Sequence, residues 1–309
     1  MAAPDSCMTR AAQNIATAVG RPPAGSALVI CSSGKAALAG RVGEALDAGG
    51  VPAHVVRLSP ERAAGLADMV RRLAPAWGLV LLIEPPDAGW LFETVGRPDT
   101  GILVPDAHLF CDWVMRPDAL LRTCAVDMVE LSRFREGLLA ALTGVGHIRV
   151  TTGAGTDLTV MPRHWNATDG EVFTAPVEYV ASGVIVVDGC AYSGPPERPF
   201  TLRIERGRVA NGADLRDDDP QQRMAAADLS RDEHANVLAE LGIGINPGAL
   251  WNADVMEAEQ ARGTCHFGFG GNVSYGGQVA SSYHFDLVIR HPTITVDGRV
   301  LCRRGVWML

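Results

Sequence analysis

Lysine is nearly absent from this chain: of its 27 basic residues only Lys35 is a lysine, and the rest are arginines. A basic excess is absent too. Acidic residues number 35 and the net charge is −8, which disfavours sequence-independent nucleic-acid binding, because that needs a basic face. Aromatic residues are scarce at 6%. The longest apolar run, Ala76–Ile83, is strand-sized and far short of the roughly 20 residues that cross a membrane. Met1–Arg10 carries Asp5 and lacks a basic region followed by an apolar core, so no signal peptide is expected. The 7 cysteines are odd in number, scattered and never paired as C-x-x-C, and they read as reduced cytosolic thiols. A cytoplasmic protein is therefore expected. G-x-G-x-x-G and G-x-S-x-G are both missing, which leaves a dinucleotide site and a nucleophile elbow without support. Ser33-Gly34-Lys35 ends like a phosphate-binding loop, but Val29 stands where the first glycine belongs and no Ser or Thr follows the lysine.

What remains is a chain of 309 residues, 47% apolar and 20% charged, enough for a packed core and one or two domains. The first half alternates. Ser26–Cys31, Ala53–Leu58 and Trp77–Ile83 read as buried strands, and Lys35–Ala48 and Pro60–Leu73 as the helices between them. Near-continuous apolar strands separated by helices predict a parallel sheet covered by helices. A further helix is expected over about Asp118–Thr143. Beyond Gly146 the segments become short and β-rich. A helix over about Gln222–Ala239 is expected, with His234, Val237, Leu238 and Leu241 on one stripe, followed by glycine-rich strands. The fold class is thus α/β: an N-terminal α/β domain over 1–145, then a β-rich α+β domain over 146–309.

The chemistry concentrates between Gly170 and Asp286. In Ser281–Ile289 (SSYHFDLVI) strand alternation puts His284 and Asp286 on one face and Tyr283, Phe285 and Leu287 on the other. An imidazole and a carboxylate at i and i+2 can share one metal ion. Gly263–Gly270 (GTCHFGFG) repeats the pattern, with His266 opposite Cys265, Phe267 and Phe269, so a Cys–His nucleophile pair is not expected. Glu171 follows a turn. Glu240 is placed at the end of the helix stripe, where an acid without a basic neighbour is costly unless paired or metal-bound. His164, a few residues before Glu171, is a weaker candidate for the cleft. The glycines at 268, 270, 271, 276 and 277 would let a substrate approach the backbone. Read alone, each histidine also suits an ordinary core position and Glu171 an exposed turn, and the residues by themselves leave both readings open.

Four ordered motifs carry a resemblance: GEVFTAP (170–176), ELGIGINP (240–247), AEQARGTCHFGFGGN (258–272) and SSYHFDL (281–287). Together they resemble the aminopeptidase T family of metallopeptidases, the thermophilic or leucyl aminopeptidases. The match covers most of residues 145–301. The resemblance implies two metal ions, zinc, cobalt or manganese, held by Glu171, Glu240, His266, His284 and Asp286. It also implies an assisting Tyr275, which follows His266 at a slightly different spacing from the family's. Glu171 would serve as general base, on a small-molecule or short-peptide substrate, in a homodimer. The related 2,5-dihydroxypyridine ring-opening dioxygenases resemble the same motifs, and imply instead one iron(II) on His266, His284 and Asp286. The expectation is a metal-dependent hydrolase of aminopeptidase type. The alternatives are an iron(II) dioxygenase opening a hydroxylated N-heterocycle and a non-catalytic accessory protein of a biosynthetic pathway.

Overall fold

The computed structural model describes residues 4–19, 26–32, 36–58, 79–83, 102–103, 119–216, 218–252 and 255–309. The chain divides into two compact units, Met1–Met128 and Val129–Leu309. The helix expected over Pro60–Leu73 and the Ser33–Lys35 segment lie outside the described residues.

The first unit contains helix α1 (Pro4–Val19), strand β1 (Ala27–Ser32), helix α2 (Ala36–Ala48), and strands β2 (Ala53–Leu58), β3 (Leu79–Ile83) and β4 (Ile102–Leu103). The strands form a parallel sheet in the order β2-β1-β3-β4, as the continuous apolar runs predict. Its core joins Ala11, Ala12 and Ile15 of α1 to Val29 and to Leu38, Val42 and Leu46 of α2. Helix α2 stops at Gly49-Gly50: Gly50 takes a left-handed φ of 80° and the Val51 amide returns to the Leu46 carbonyl.

The single helix expected over 118–143 is two, α3 (Ala119–Cys124) and α4 (Met128–Leu142). Asn14 Nδ2 donates to the Cys124 and Val126 carbonyls at the break. The second compact unit begins at Val129, ahead of the boundary expected near residue 145, and takes in all of helix α4 but Met128. The cause is packing. Phe134 meets Trp307 edge to face, Arg262 lies over Phe134 and pairs with Glu130, and Arg135 pairs with Asp169.

The second unit is built on two antiparallel sheets. One runs β12-β11-β9-β6-β5-β16-β17-β18 and uses β5 (Ile148–Thr151), β6 (Asp157–Val160), β9 (Ser182–Val187), β11 (Phe200–Glu205), β12 (Arg208–Val209), β16 (Thr293–Val296), β17 (Arg299–Arg303) and β18 (Val306–Trp307). Strand β11 alternates buried and exposed residues, the mark of a sheet with one solvated face. The other sheet runs β10-β15-β14-β13-β8-β7. It uses β7 (Pro162–Ala167), β8 (Glu171–Pro176), β10 (Cys190–Ala191), β13 (Leu238–Gly244), β14 (Thr264–Gly270) and β15 (His284–Arg290). Every residue of β13 and β14 is buried. Helices α5 (Pro220–Leu229) and α6 (Val255–Ala258) complete the unit.

The helix expected over 222–239 is corrected here. Asp219 caps α5 by accepting the Gln221 and Gln222 amides, and the helix ends at Leu229. Asp232 then accepts the His234 amide and the chain turns into β13. Leu238 and Leu241 of the stripe belong to a strand buried on both faces, where periodicity does not separate strand from helix, and Val237 directly precedes it in a single bridge to Arg208. Glu240 therefore stands inside a strand, not at a helix end. Among the described residues no helix is long and apolar enough to cross a membrane.

Candidate metal centre

Four adjacent strands, β8, β13, β14 and β15, build the site through one repeated device. Their register sets Glu171 opposite Gly244, His266 opposite Gly242, Glu240 and Asp286 opposite Gly268, and His284 opposite Gly270. Directly opposite residues share a face. One face therefore carries Glu171, Glu240, His266, His284 and Asp286 among glycines, and the other carries Leu241, Ile243, Cys265, Phe267, Phe269, Phe285 and Leu287, all buried. Cys265 faces away from the imidazoles as expected, and burial pushes its thiol up to about 12.

The glycines clear the space that the imidazoles fill. A Cβ on Gly242 would lie 1.9 Å from His266 Nε2, and one on Gly268 would lie 2.6 Å from His284 Nε2 and 2.7 Å from Asp286 Oδ1. The expectation that glycines 268, 270, 271 and 277 admit substrate is corrected. Their space is taken by His284 and Asp286, by the Tyr283 and Ser281 carbonyls and by the Asn272 side chain, and only Gly276 faces open space.

The side chains converge in two groups that share Glu240: Glu171, Glu240 and His266, then Glu240, His284 and Asp286. Glu240 Oε1 lies 3.4 Å from His266 Nε2, and Oε2 lies 3.2 Å from His284 Nε2. Glu171 Oε2 is 3.1 Å from His266 Nε2. It is buried there and makes no hydrogen bond. His284 Nε2 is 3.3 Å from Asp286 Oδ1. On its other side His284 Nδ1–H donates to the Gly271 carbonyl at 2.8 Å, which directs Nε2 into the cluster. The Thr168 hydroxyl accepts the Gly170 and Glu171 amides and forms the turn that delivers Glu171. His266 is 1% exposed and Glu240 5%, whereas the His284 side chain is 25% exposed. The site is therefore closed at its His266 end and open at its His284 end, where His284, Asn272, Ser281 and Tyr283 help line a recess of about 410 Å³.

Charge follows this geometry. Burial opposes ionisation of both glutamates. At Glu240 the bonds from His266 and His284 outweigh it and hold the carboxyl at about 2. Glu171 faces one imidazole only, and there burial wins and raises the carboxyl. Burial would lower the imidazoles too, but Glu171 and Glu240 drive His266, and Asp286 and Glu240 drive His284, well above the ordinary value. Tyr275 rests on this cluster. Its Oη lies 2.6 Å from His284 Nδ1 and 3.1 Å from the Gly271 carbonyl, and its ring meets Phe173 and His284 edge-on. Burial, then the Glu240 and Asp286 carboxylates, push the phenol up, so it stays an O–H donor.

All five residues singled out in the sequence thus come together, with Tyr275 beside them. His164 stands exposed on the edge strand β7, outside the cluster. The sequence reading missed Glu259, which is 8% exposed. Burial, then the charges of Asp286 and Glu171, raise its carboxyl well above the ordinary value. Its carbonyl packs where a Cβ on Gly244 would fall, 2.7 Å away. An acid in a turn has no period to reveal it. The only signal is its place in AEQARGTCHFGFG, seven positions before His266.

The donor set fits divalent cations. Three carboxylates and two imidazoles are packed within ligand distance, one carboxylate spans both groups, and a buried oxygen lacks a hydrogen bond. A β-rich unit of two sheets with carboxylate and imidazole donors on adjacent strands defines a candidate metal-dependent enzyme.

The comparisons agree with that class. The family model described as NicX: 2,5-dihydroxypyridine 5,6-dioxygenase matches residues 116–308, and the chain belongs to that enzyme family. Two solved structures share the fold. The 2,5-dihydroxypyridine dioxygenase from Pseudomonas putida KT2440 superposes with a TM-score of 0.66 at 17% identity, covering 97% of this chain and 96% of that one. Wild-type AmpT from Thermus thermophilus superposes with a TM-score of 0.66 at 17% identity, covering 99% of each chain. No curated protein matches by sequence.

Proposed function

We propose that the chain is a metal-dependent hydrolase of aminopeptidase type, acting on an amide bond of a short peptide or aminoacyl amide. The observation that carries this reading is Glu240. Its two oxygens face two different histidines, each with its own second carboxylate. Among the described residues, His266 is grouped with Glu171 and Glu240, and His284 with Asp286 and Glu240. A bridging carboxylate suits two cations better than one. Glu171, Glu240 and His266 would hold the inner cation, and Glu240, His284 and Asp286 the outer one. Mixed imidazole and carboxylate donors suit zinc, cobalt or manganese. The chemistry such ions supply is a water of lowered pKa and compensation for the charge of a tetrahedral oxyanion.

The chain's own residues do the rest. Glu171, whose carboxyl is raised by burial, takes the proton of the attacking water and returns it to the leaving nitrogen. Tyr275 keeps its proton and donates to the oxyanion. The substrate enters at the exposed His284 end. A homodimer is proposed with this activity, to be checked by light scattering.

A second reading, an iron(II) ring-opening dioxygenase, draws support from the family match, which spans every residue of the cluster. His266, His284 and Asp286 supply two imidazoles and a carboxylate for it. One experiment separates the two. Protein purified without chelator is assayed for metal content, for hydrolysis of aminoacyl p-nitroanilides, and for oxygen uptake with 2,5-dihydroxypyridine. Two zinc, cobalt or manganese ions per chain with hydrolysis are expected. One iron per chain with oxygen uptake would overturn the hydrolase.

A further inference from the structure

Residues 271–283 join the strands that carry His266 and His284, and Tyr275 lies on this loop. What holds the loop is a buried carboxamide. Asn272 is fully buried. Its Oδ1 accepts the Val279 amide at 2.8 Å, and its Nδ2 donates to the Ala239 carbonyl at 3.2 Å and to Glu178 Oε1 at 3.4 Å. Its main chain closes the same loop: the Asn272 amide donates to the Val279 carbonyl, and the Asn272 carbonyl accepts the Tyr275 and Gly277 amides. Gly277 lies flat against the carboxamide, where a Cβ would fall 2.0 Å from Asn272 Cγ. Glu178 Oε1 also accepts the Gln278 amide at 2.7 Å, and its other oxygen pairs with Arg163. Asn166 Nδ2 holds the Tyr275 carbonyl at 3.3 Å. The loop is therefore tied at both ends to one side chain, and that side chain is tied to the carbonyl next to Glu240.

We infer that Asn272 and Glu178 are positioning residues, which hold Tyr275 against His284 and fix its loop to the strand that carries Glu240. A buried carboxamide with all its bonds directed is costly to replace, because each lost bond leaves a buried group unpaired. The inference rests on the proposed function only where it is read through turnover.

The test has two arms. With an aminoacyl p-nitroanilide as probe, Tyr275→Phe is expected to lower kcat about 100-fold, the loss of one oxyanion donor. Asn272→Ala is expected to lower kcat by a similar factor, with KM and metal content unchanged. In the Tyr275→Phe background Asn272→Ala should lower kcat no further, because its effect runs through the phenol. A second full loss in that background would overturn the proposal. The other arm is amide hydrogen exchange, which needs no turnover. Asn272→Ala should speed exchange at Tyr275, Gly277 and Val279 and leave strand 284–290 unchanged. Unchanged exchange over 273–279 would also overturn it. Glu178→Gln, with faster exchange expected at Gln278, gives the same reading should Asn272→Ala not fold. If the wild-type chain hydrolyses nothing, the hydrolase reading fails and the exchange arm still decides the role of Asn272.

Discussion

Glycine is the residue type that makes this cluster possible. Each imidazole lies across a neighbouring strand, where an ordinary side chain would stand. The alternation is legible in the sequence as His266-x-Gly268-x-Gly270 and His284-x-Asp286, because strand period puts these residues on one face, whereas Glu240-x-Gly242-x-Gly244 joins them only once its segment is seen to be a strand. The purpose of the glycines is not legible there. They look like openings for substrate, and only the register shows that the protein's own side chains occupy them. Asn272 and Glu259 are hidden for a related reason, since both act from turns where no period exists. A steric prediction follows at this scale. Gly242→Ala puts a methyl group where His266 Nε2 stands, and the fully buried ring has nowhere to go. The variant is expected to lose inner-site cation binding by at least about tenfold, a cost of 1.4 kcal/mol or more in binding free energy. Isothermal titration with zinc measures it, and wild-type affinity in a folded variant would refute the steric account.

Strand β15 shows how one element serves two purposes. Its inward face packs Phe285 against Phe269 at 5.7 Å and between Tyr192 and Tyr283, while its other face presents His284 and Asp286. Phe285→Ala should therefore destabilise the fold by about 3–5 kcal/mol, as a core truncation. His284→Ala should cost little stability and abolish outer-site cation binding. Denaturant melts and metal analysis of the two variants separate these effects. Equal stability losses would mean that the faces are not independent. The same element scale explains where the sequence misleads. Strand β15 has a polar and an apolar face, so alternation finds it. Strand β13 is buried on both, so its apolar residues satisfy a helical stripe equally well, and Glu240 was expected at a helix end. The helix at 118–143 fails differently, since the three-residue break at Ala125–Asp127 interrupts neither composition nor period.

At the scale of the whole molecule, protonation and cation binding compete for the same groups. His266 and His284 are raised well above their ordinary value of 6.5. A group raised in the folded state stabilises fully below its unfolded value, and that contribution is lost as pH rises through the folded value. Glu171 and Glu259, raised from 4.5, act in the same direction. Glu240, held at about 2, acts in the opposite direction, but its contribution is complete above 4.5. The cation-free protein should therefore lose thermal stability from pH 6.5 upward. The zinc-loaded protein should not, because cations need the imidazoles deprotonated. Melting curves in chelator and in zinc across pH 6–9 test this, and parallel curves would refute it. The division of the chain carries the argument one step further. All five cluster residues, Tyr275, Asn272, and helix α4 but for Met128, with its Phe134–Trp307 and Glu130–Arg262 contacts, lie in Val129–Leu309. This segment has its own two sheets, with β13 and β14 buried along their whole length. Expressed alone, it should fold cooperatively and bind the same number of cations as the full chain. Metal stoichiometry and a melting curve of the isolated segment decide the point. A segment that folds yet binds fewer cations than the full chain would refute it.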